Sequence, residues 1–187
     1  MVEANIVLTL LQTISIMVGI GYYILNIQNN QKNQIISLKN QELTLESQKQ
    51  ATETRRAQLY MQVFNMSMNN RTFMDSYFKL LTRKWNDYDD FVESCGILKS
   101  EFTELGNELI HVTSVFEGVG VLVKEKMLDI HLIAVLMSAM TRMLWEKIQP
   151  FVVIHRKTVN LPRWISEYEY LYNELMKYHE EHPELAT

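Results

Sequence analysis

The hydropathy pattern divides the chain into three stretches. From Ile6 to Ile27 nearly every position is Ile, Leu, Val, Met, Gly or Tyr, and no charge falls between Ala4 and Gln31. A helix of about 22 residues at about 1.5 Å per residue covers roughly 33 Å, enough for a bilayer's hydrocarbon core. Tyr22 and Tyr23 stand near one end, where amphipathic rings favour the interface. Gln12, Thr13 and Asn26 are costly in lipid and invite contact with another membrane helix. Ser15 and Gly19 form a small-xxx-small pair that allows close helix approach. A cleaved signal peptide would need a basic start and a small-residue cleavage site, and the chain has Glu3 and no A-x-A pattern. An interfacial helix would need one strongly polar face, which is lacking. The segment reads as an uncleaved single-pass anchor.

From Gln28 to Gln58 the chain turns polar, rich in Gln, Asn, Lys and Glu and free of Gly and Pro. This predicts a continuous helical stalk. Ile35, Leu38 and Leu45 occupy a and d positions of a heptad, with Glu42 at the intervening a and Lys49 and Thr52 weakening the run. Such a short seam suits a parallel dimer or a solvated helix packed back on its own domain.

Beyond Gln58 helical periodicity returns in pieces. Leu59, Val63 and Met66 keep 4,3 spacing, and Met74, Tyr77, Leu81 and Trp85 follow after a turn at Met68-Asn69-Asn70. Asp87 is placed to cap a short helix whose first turn carries Asp89 and Asp90, and Cys95-Gly96 marks its break. Leu98, Phe102, Leu105, Leu109, Val112 and Phe116 predict one long helical face. Gly118 and Gly120 read as punctuation or as a close helix approach. A helix from Asp129 to about Lys147 is apolar on nearly all sides and reads as the buried centre of a bundle. Pro150 is expected to kink or restart the chain, giving a short helix over Phe151 to Lys157. Pro162 is expected in the first turn of the last helix, whose face is Trp164, Tyr168, Leu171, Leu175 and Tyr178.

The fold class is therefore all-α: one N-terminal transmembrane helix, a helical stalk, then a multi-helix bundle. The expected divisions are an anchor over 1–29, a stalk over 30–58, a bundle over 59–182 and a frayed tail over 183–187. Six glycines and three prolines in 187 residues agree with a helical chain. A net charge of −4 argues against a nucleic-acid binder. The single Cys95 excludes an intrachain disulfide. Lys32 and Lys39 follow the anchor and no Lys or Arg precedes it, so the positive-inside bias places the C-terminal domain in the cytoplasm, below the cell membrane.

Three phrases of the domain carry a resemblance. Phe116-Glu117-Gly118-Val119-Gly120, Trp145-Glu146-Lys147-Ile148-Gln149-Pro150 and Trp164-Ile165-Ser166-Glu167-Tyr168 resemble a pattern in an uncharacterised family of small helical proteins from archaea and bacteria. Thr54-Arg55-Arg56-Ala57-Gln58-Leu59 is similar to that family's domain start, so the likeness runs from about Glu53 to Leu175. The resemblance implies an N-terminal membrane helix and stalk, and no catalytic residue.

Candidate chemistry is sparse. Glu108-x-x-His111 is half of a carboxylate-bridged di-metal site, which needs a second such motif and two more carboxylates. His179 and His182 lie beside Glu180 and Glu181, and cations at a helix C-terminus are also simply favourable. Met137, Met140 and Met143, like Met61, Met66 and Met68, read as core filler before they read as a copper site. Asp87, Asp89, Asp90 and Glu93 lack an EF-hand's glycine and spacing. Cys95 has no visible base. Glu117 has Arg142 and Arg156 as candidate ion-pair partners, and Tyr170 is the tyrosine expected to face outward.

These readings give a membrane-tethered helical interaction or scaffolding module without catalysis, metal or cofactor. Its partners would be membrane lipid and a protein or a second copy of itself. The alternatives are an accessory subunit of a larger membrane complex, meeting it through Gln12, Ser15, Gly19 and Asn26, and a di-metal enzyme built on Glu108 and His111.

Overall fold

The computed structural model describes residues 2–99 and 101–185, with side chains from Asn5 onward. The described residues form six α-helices and no strand: α1 (Val2–Met66), α2 (Arg71–Thr82), α3 (Tyr88–Cys95), α4 (Glu104–Lys124), α5 (Ile130–Thr158) and α6 (Ser166–Glu181). The chain separates into two compact units, Met1–Glu53 and Thr54–Thr187.

The first unit is a single helical stretch, the greater part of α1. Neither Gly nor Pro interrupts it after Gly21, and nothing in its sequence supplies a stop. Its apolar side chains are open throughout, for example Ile6 at 55%, Val18 at 66% and Leu25 at 59% exposure. The hydroxyls of Thr9 and Thr13 donate to the carbonyls of Asn5 and Thr9, each at 2.8 Å, so both are satisfied within the helix. Ile35, Leu38 and Leu45 are also exposed.

The second unit is a helical bundle. The last turns of α1 enter its core through Val63, with Leu59 and Tyr60 half-buried. Asn70 caps α2 by accepting from the Phe73 N–H at 3.1 Å, and Phe73, Tyr77 and Leu80 form the buried face. Met74, Leu81 and Trp85 lie at its margin, and Trp85 falls beyond the helix end. Asp87 caps α3 by accepting from Asp90 N–H at 2.8 Å. Gly96 ends that helix in the left-handed region at φ 66°.

The face expected from Leu98 to Phe116 is shorter than its spacing suggests. The Thr103 hydroxyl oxygen accepts from Gly106 N–H at 3.1 Å, which starts α4 at Glu104. Leu98 and Phe102 are exposed in the connection before it. Leu109, Val112 and Phe116 are buried as the period requires. Gly118 and Gly120 do not punctuate the chain, since α4 runs through both to Lys124.

Two further expectations are corrected in α5. The helix is not buried all round: Val135 and Met143 are 62% and 48% exposed, because neighbours cover only one side. Nor does Pro150 restart the chain. The helix passes through it, and the irregular residue is Met137, at φ −145° and ψ 19°. Pro150 is exposed while Ile148 and Val152 are buried on either side, so packing holds the helix across the lost N–H. Helix α6 starts at Ser166, later than Pro162 suggests. Tyr168, Leu171 and Leu175 are buried there, and Trp164 and Tyr178 are half-buried. Pro183–Leu185 form a 3-10 turn where a frayed tail is expected, and Ala186 and Thr187 lie outside the described residues.

Candidate functional site

The phrases Phe116–Gly120 and Trp164–Tyr168 meet at one joint between α4 and α6. Ile165 precedes α6 with φ 54° and supplies no side-chain cap. Glu117 supplies the cap from another helix: its Oε1 accepts from the N–H groups of Glu167 at 3.1 Å and Tyr168 at 3.2 Å. A carboxylate at a helix N-terminus satisfies orphan donors and complements the helix dipole. Burial raises the Glu117 pKa above the usual carboxylate value, and the two N–H donors pull against that rise.

Gly120 makes the approach possible. A methyl group there would sit 2.1 Å from the Glu167 carbonyl oxygen and 2.7 Å from its carbon, so only glycine fits. The same group on Gly118 would meet nothing within 4 Å. Phe116 stacks on Tyr168 at 4.5 Å between centroids, and Trp145 closes on Tyr168 at 5.0 Å. The Tyr168 hydroxyl donates to the Thr141 carbonyl at 2.9 Å.

Arg156 does not pair with Glu117. Its guanidinium donates to the carbonyls of Trp164 at 2.8 Å and Ile165 at 3.0 Å, and to Glu169 at 2.6 Å. Arg142 reaches Glu146 at 4.0 Å. Arg156 therefore holds the left-handed turn at Ile165 from one side while Glu117 holds the following N–H groups from the other. Lys147 is another residue the periodicity passes over. Its ammonium donates to the Leu81 carbonyl at the end of α2 and lies 5.3 Å over the Trp85 ring. Burial, then the nearby Lys84, lowers its pKa. Neither Arg156 nor Lys147 stands out in the sequence: Arg156 lies in the basic run His155-Arg156-Lys157, and Lys147 follows Glu146.

Several of the motifs with possible chemistry have structural partners, while the buried Nε2 of His179 has none among the described residues. Glu108 pairs with Lys79, which also reaches Glu104 at 3.0 Å, and His111 packs edge-on against Phe73 at 6.2 Å. The hydrogen bonds that the Lys79 ammonium donates to Glu108 and Glu104 raise its pKa. His182 reaches Glu184 at 3.3 Å and stacks near Tyr178, whose hydroxyl meets His131 Nδ1 at 2.8 Å. Among the described residues no group of three or more His, Cys, Asp or Glu is placed to hold a metal ion. Cys95 is fully buried, and that burial pushes its thiol up to about 11. Such a thiol is a poor nucleophile at neutral pH.

Beside a concavity of about 460 Å³ lined by Lys79, Thr82, Arg83, Ser94, Thr103, Glu104, Leu105 and Glu108, the bundle's surface offers two more among the described residues. One, of about 310 Å³, is lined by Arg56, Lys124, Lys126, Asp129, Tyr170 and Glu174, together with apolar side chains. Tyr170 is not freely outward. It is half-buried in this cleft with the Lys124 ammonium 5.5 Å from its ring centroid. Lys124 also pairs with Glu167 at 2.9 Å. The other, of about 280 Å³, is apolar and lined by Val63, Met66, Ser114, Val115, Gly118, Val119 and Leu122. Mixed charge around an aromatic ring suits binding of a polar surface.

Gln12, Ser15, Gly19 and Asn26 are exposed along the apolar part of α1, as are Ile35, Leu38 and Leu45 further on. That part is the one helix among the described residues long and apolar enough to cross a membrane. No match to this chain is found among curated proteins or among solved structures. A family model described as a domain of unknown function, DUF4760, matches residues 13–175, taking in most of the apolar helix and the stalk as well as the bundle. The chain is a member of the DUF4760 family.

Proposed function

We propose that this protein is a single-pass, membrane-tethered helical interaction module without catalytic activity. The observation that carries the reading is the run from Ile6 to Ile27, where every large apolar side chain is exposed. That much exposed apolar surface is untenable in water and ordinary in a bilayer. The two lysines after the run favour a cytoplasmic C-terminal domain. The domain's contribution is a surface, and the cleft around Tyr170 is one part of it shaped to receive a partner.

The test is fractionation of cells expressing the full chain and a variant lacking residues 1–29. The full chain is expected in membranes after an alkaline carbonate wash, and the truncated chain in the soluble fraction. Full-length protein released by the wash would refute the anchor. Protease added outside intact cells should spare the domain; its digestion there would reverse the orientation. Tyr170→Ala should weaken capture of a partner without lowering the domain's melting temperature by more than a few degrees.

A further inference from the structure

The apolar helix and the stalk share one uninterrupted seam. Gln12, Gly19, Asn26, Asn33, Asn40 and Ser47 stand seven residues apart on the single helix α1. Ser15, Tyr22, Asn29, Ile36 and Leu43 fall between them at alternating steps of three and four. That spacing is the a/d repeat of a left-handed two-helix supercoil. No charge enters the seam, although Lys32, Lys39, Glu42, Glu46 and Lys49 crowd the same part of the helix. The competing seam through Ile35, Leu38 and Leu45 has Glu42 and Lys49 at its a positions. A parallel pair on that seam would set Glu42 against Glu42 and Lys49 against Lys49, which is unfavourable.

The chemistry of the uncharged seam names its occupant. Gln12, Asn26, Asn33 and Asn40 are exposed, and among the described residues their side chains have no hydrogen-bond partner, the Thr44 hydroxyl meeting only the backbone carbonyl of Asn40. A primary amide is both donor and acceptor, so the same residue at the same height on a second copy satisfies it. An Asn at an a position fixes register and favours a parallel dimer, and amides and small residues join helices inside a bilayer. From these placements we infer that the protein forms a parallel homodimer through this amide seam, continuous from the membrane span into the stalk. The inference rests on the membrane-tethered reading, because a shared anchor is what aligns the copies in parallel.

The test is cross-linking of single-cysteine variants of the full chain in native membranes, using a short bis-maleimide. Asn33→Cys, Ile36→Cys and Asn40→Cys lie on the seam; Ile35→Cys, Leu38→Cys and Leu45→Cys lie off it. Cys95 is buried, so the unsubstituted chain is the blank. Covalent dimer is expected several-fold more at 33, 36 and 40 than at 35, 38 and 45. The reverse pattern, no dimer at any position, or adducts only to a foreign chain would overturn the proposal. Gln12→Leu combined with Asn26→Leu should lower the yield at Asn33→Cys several-fold; an unchanged yield would overturn the seam's continuity into the membrane. The same samples are fractionated. Protein absent from the membrane pellet would defeat the tether, whereas the cross-linking pattern judges the seam on its own.

Discussion

Gly118 and Gly120 stand two residues apart in one helix, and alanine should act on them with opposite sign. In a helix interior alanine is favoured over glycine by about 0.8–1 kcal/mol. At Gly118 nothing opposes that gain, because the new methyl group meets no atom within 4 Å. At Gly120 the methyl group lands 2.1 Å from the Glu167 carbonyl oxygen, against an ordinary contact of 3.4–4 Å. Relief requires α6 to withdraw by more than about 1 Å, since neither atom is the end of a flexible side chain. That withdrawal strains the two bonds from Glu117 to the start of α6 and loosens the Phe116–Tyr168 stack. Overpacking of this kind costs about 1–3 kcal/mol, and weakened cap bonds add about 1 kcal/mol more. Less alanine's helix gain, Gly120→Ala is therefore expected to destabilise the bundle by about 1–3 kcal/mol net. Thermal unfolding of the full chain in mild detergent, followed by tryptophan fluorescence, reads the difference. At about 3–4 °C per kcal/mol for a unit of this size, Gly120→Ala should melt roughly 3–12 °C lower and Gly118→Ala about 3 °C higher. Two shifts of the same sign, or a Gly120→Ala shift under about 2 °C, would refute the close approach.

Three more outcomes follow from the joint and the core. Glu117→Ala should cost about 2–3 kcal/mol in urea unfolding, while Glu117→Gln, which keeps an acceptor for both N–H groups, should cost under about 1 kcal/mol; equal losses would show that the bonds to Glu167 and Tyr168 are not the reason. Cys95 should resist a thiol reagent at pH 8 until urea unfolds the chain, since with its pKa at about 11 the thiolate is about one part in a thousand; rapid labelling of the folded protein would contradict its burial. Burial holds the His155 pKa below its ordinary 6.5, so the unfolded chain takes up that proton first and stability falls as pH drops below 6.5. Glu117 acts the other way, because its raised pKa makes the folded state take up the proton first above 4.5, adding stability on acidification. The urea midpoint should accordingly drop between pH 7.5 and 5.5 less steeply in His155→Gln than in the wild type, and parallel slopes would remove His155 from the account.

Periodicity made the helices legible where a cap or breaker agreed with it. Asp87 and Gly96 bound α3 as their residue types indicate, because capping and left-handed termination are local events. It misled where the spacing ran on by chance. Leu98 and Phe102 keep step with α4, yet Thr103 caps the helix after them. Pro150 looked like a break, but one missing N–H is cheaper than unpacking Ile148 and Val152. The joint was half legible: the residues Phe116, Glu117, Gly120 and Tyr168 stood out as motifs, but their meeting did not. A cap reaching across fifty positions leaves no local trace, and neither does the partner of a glycine. Arg156 shows the same limit, since its three acceptors are two carbonyls and Glu169, which no charge pattern reveals.

The borrowed cap of α6 bears on the order in which the chain acquires its form. A helix of 16 residues without its own N-terminal signal is marginal in water by itself. Its start is defined only when Glu117 is already held on a formed α4, with Gly120 presenting a surface flat enough to receive it. Before α6 docks, α4 is an incomplete platform on which Phe116 meets Phe73 but lacks its stacking partner Tyr168. Shortening the chain before Tyr168 would not trim the bundle by one helix; it would leave the remaining helices without the element that closes them. The α6 segment thus acts as a closing step: the joint is a finished body only once its two helices have met.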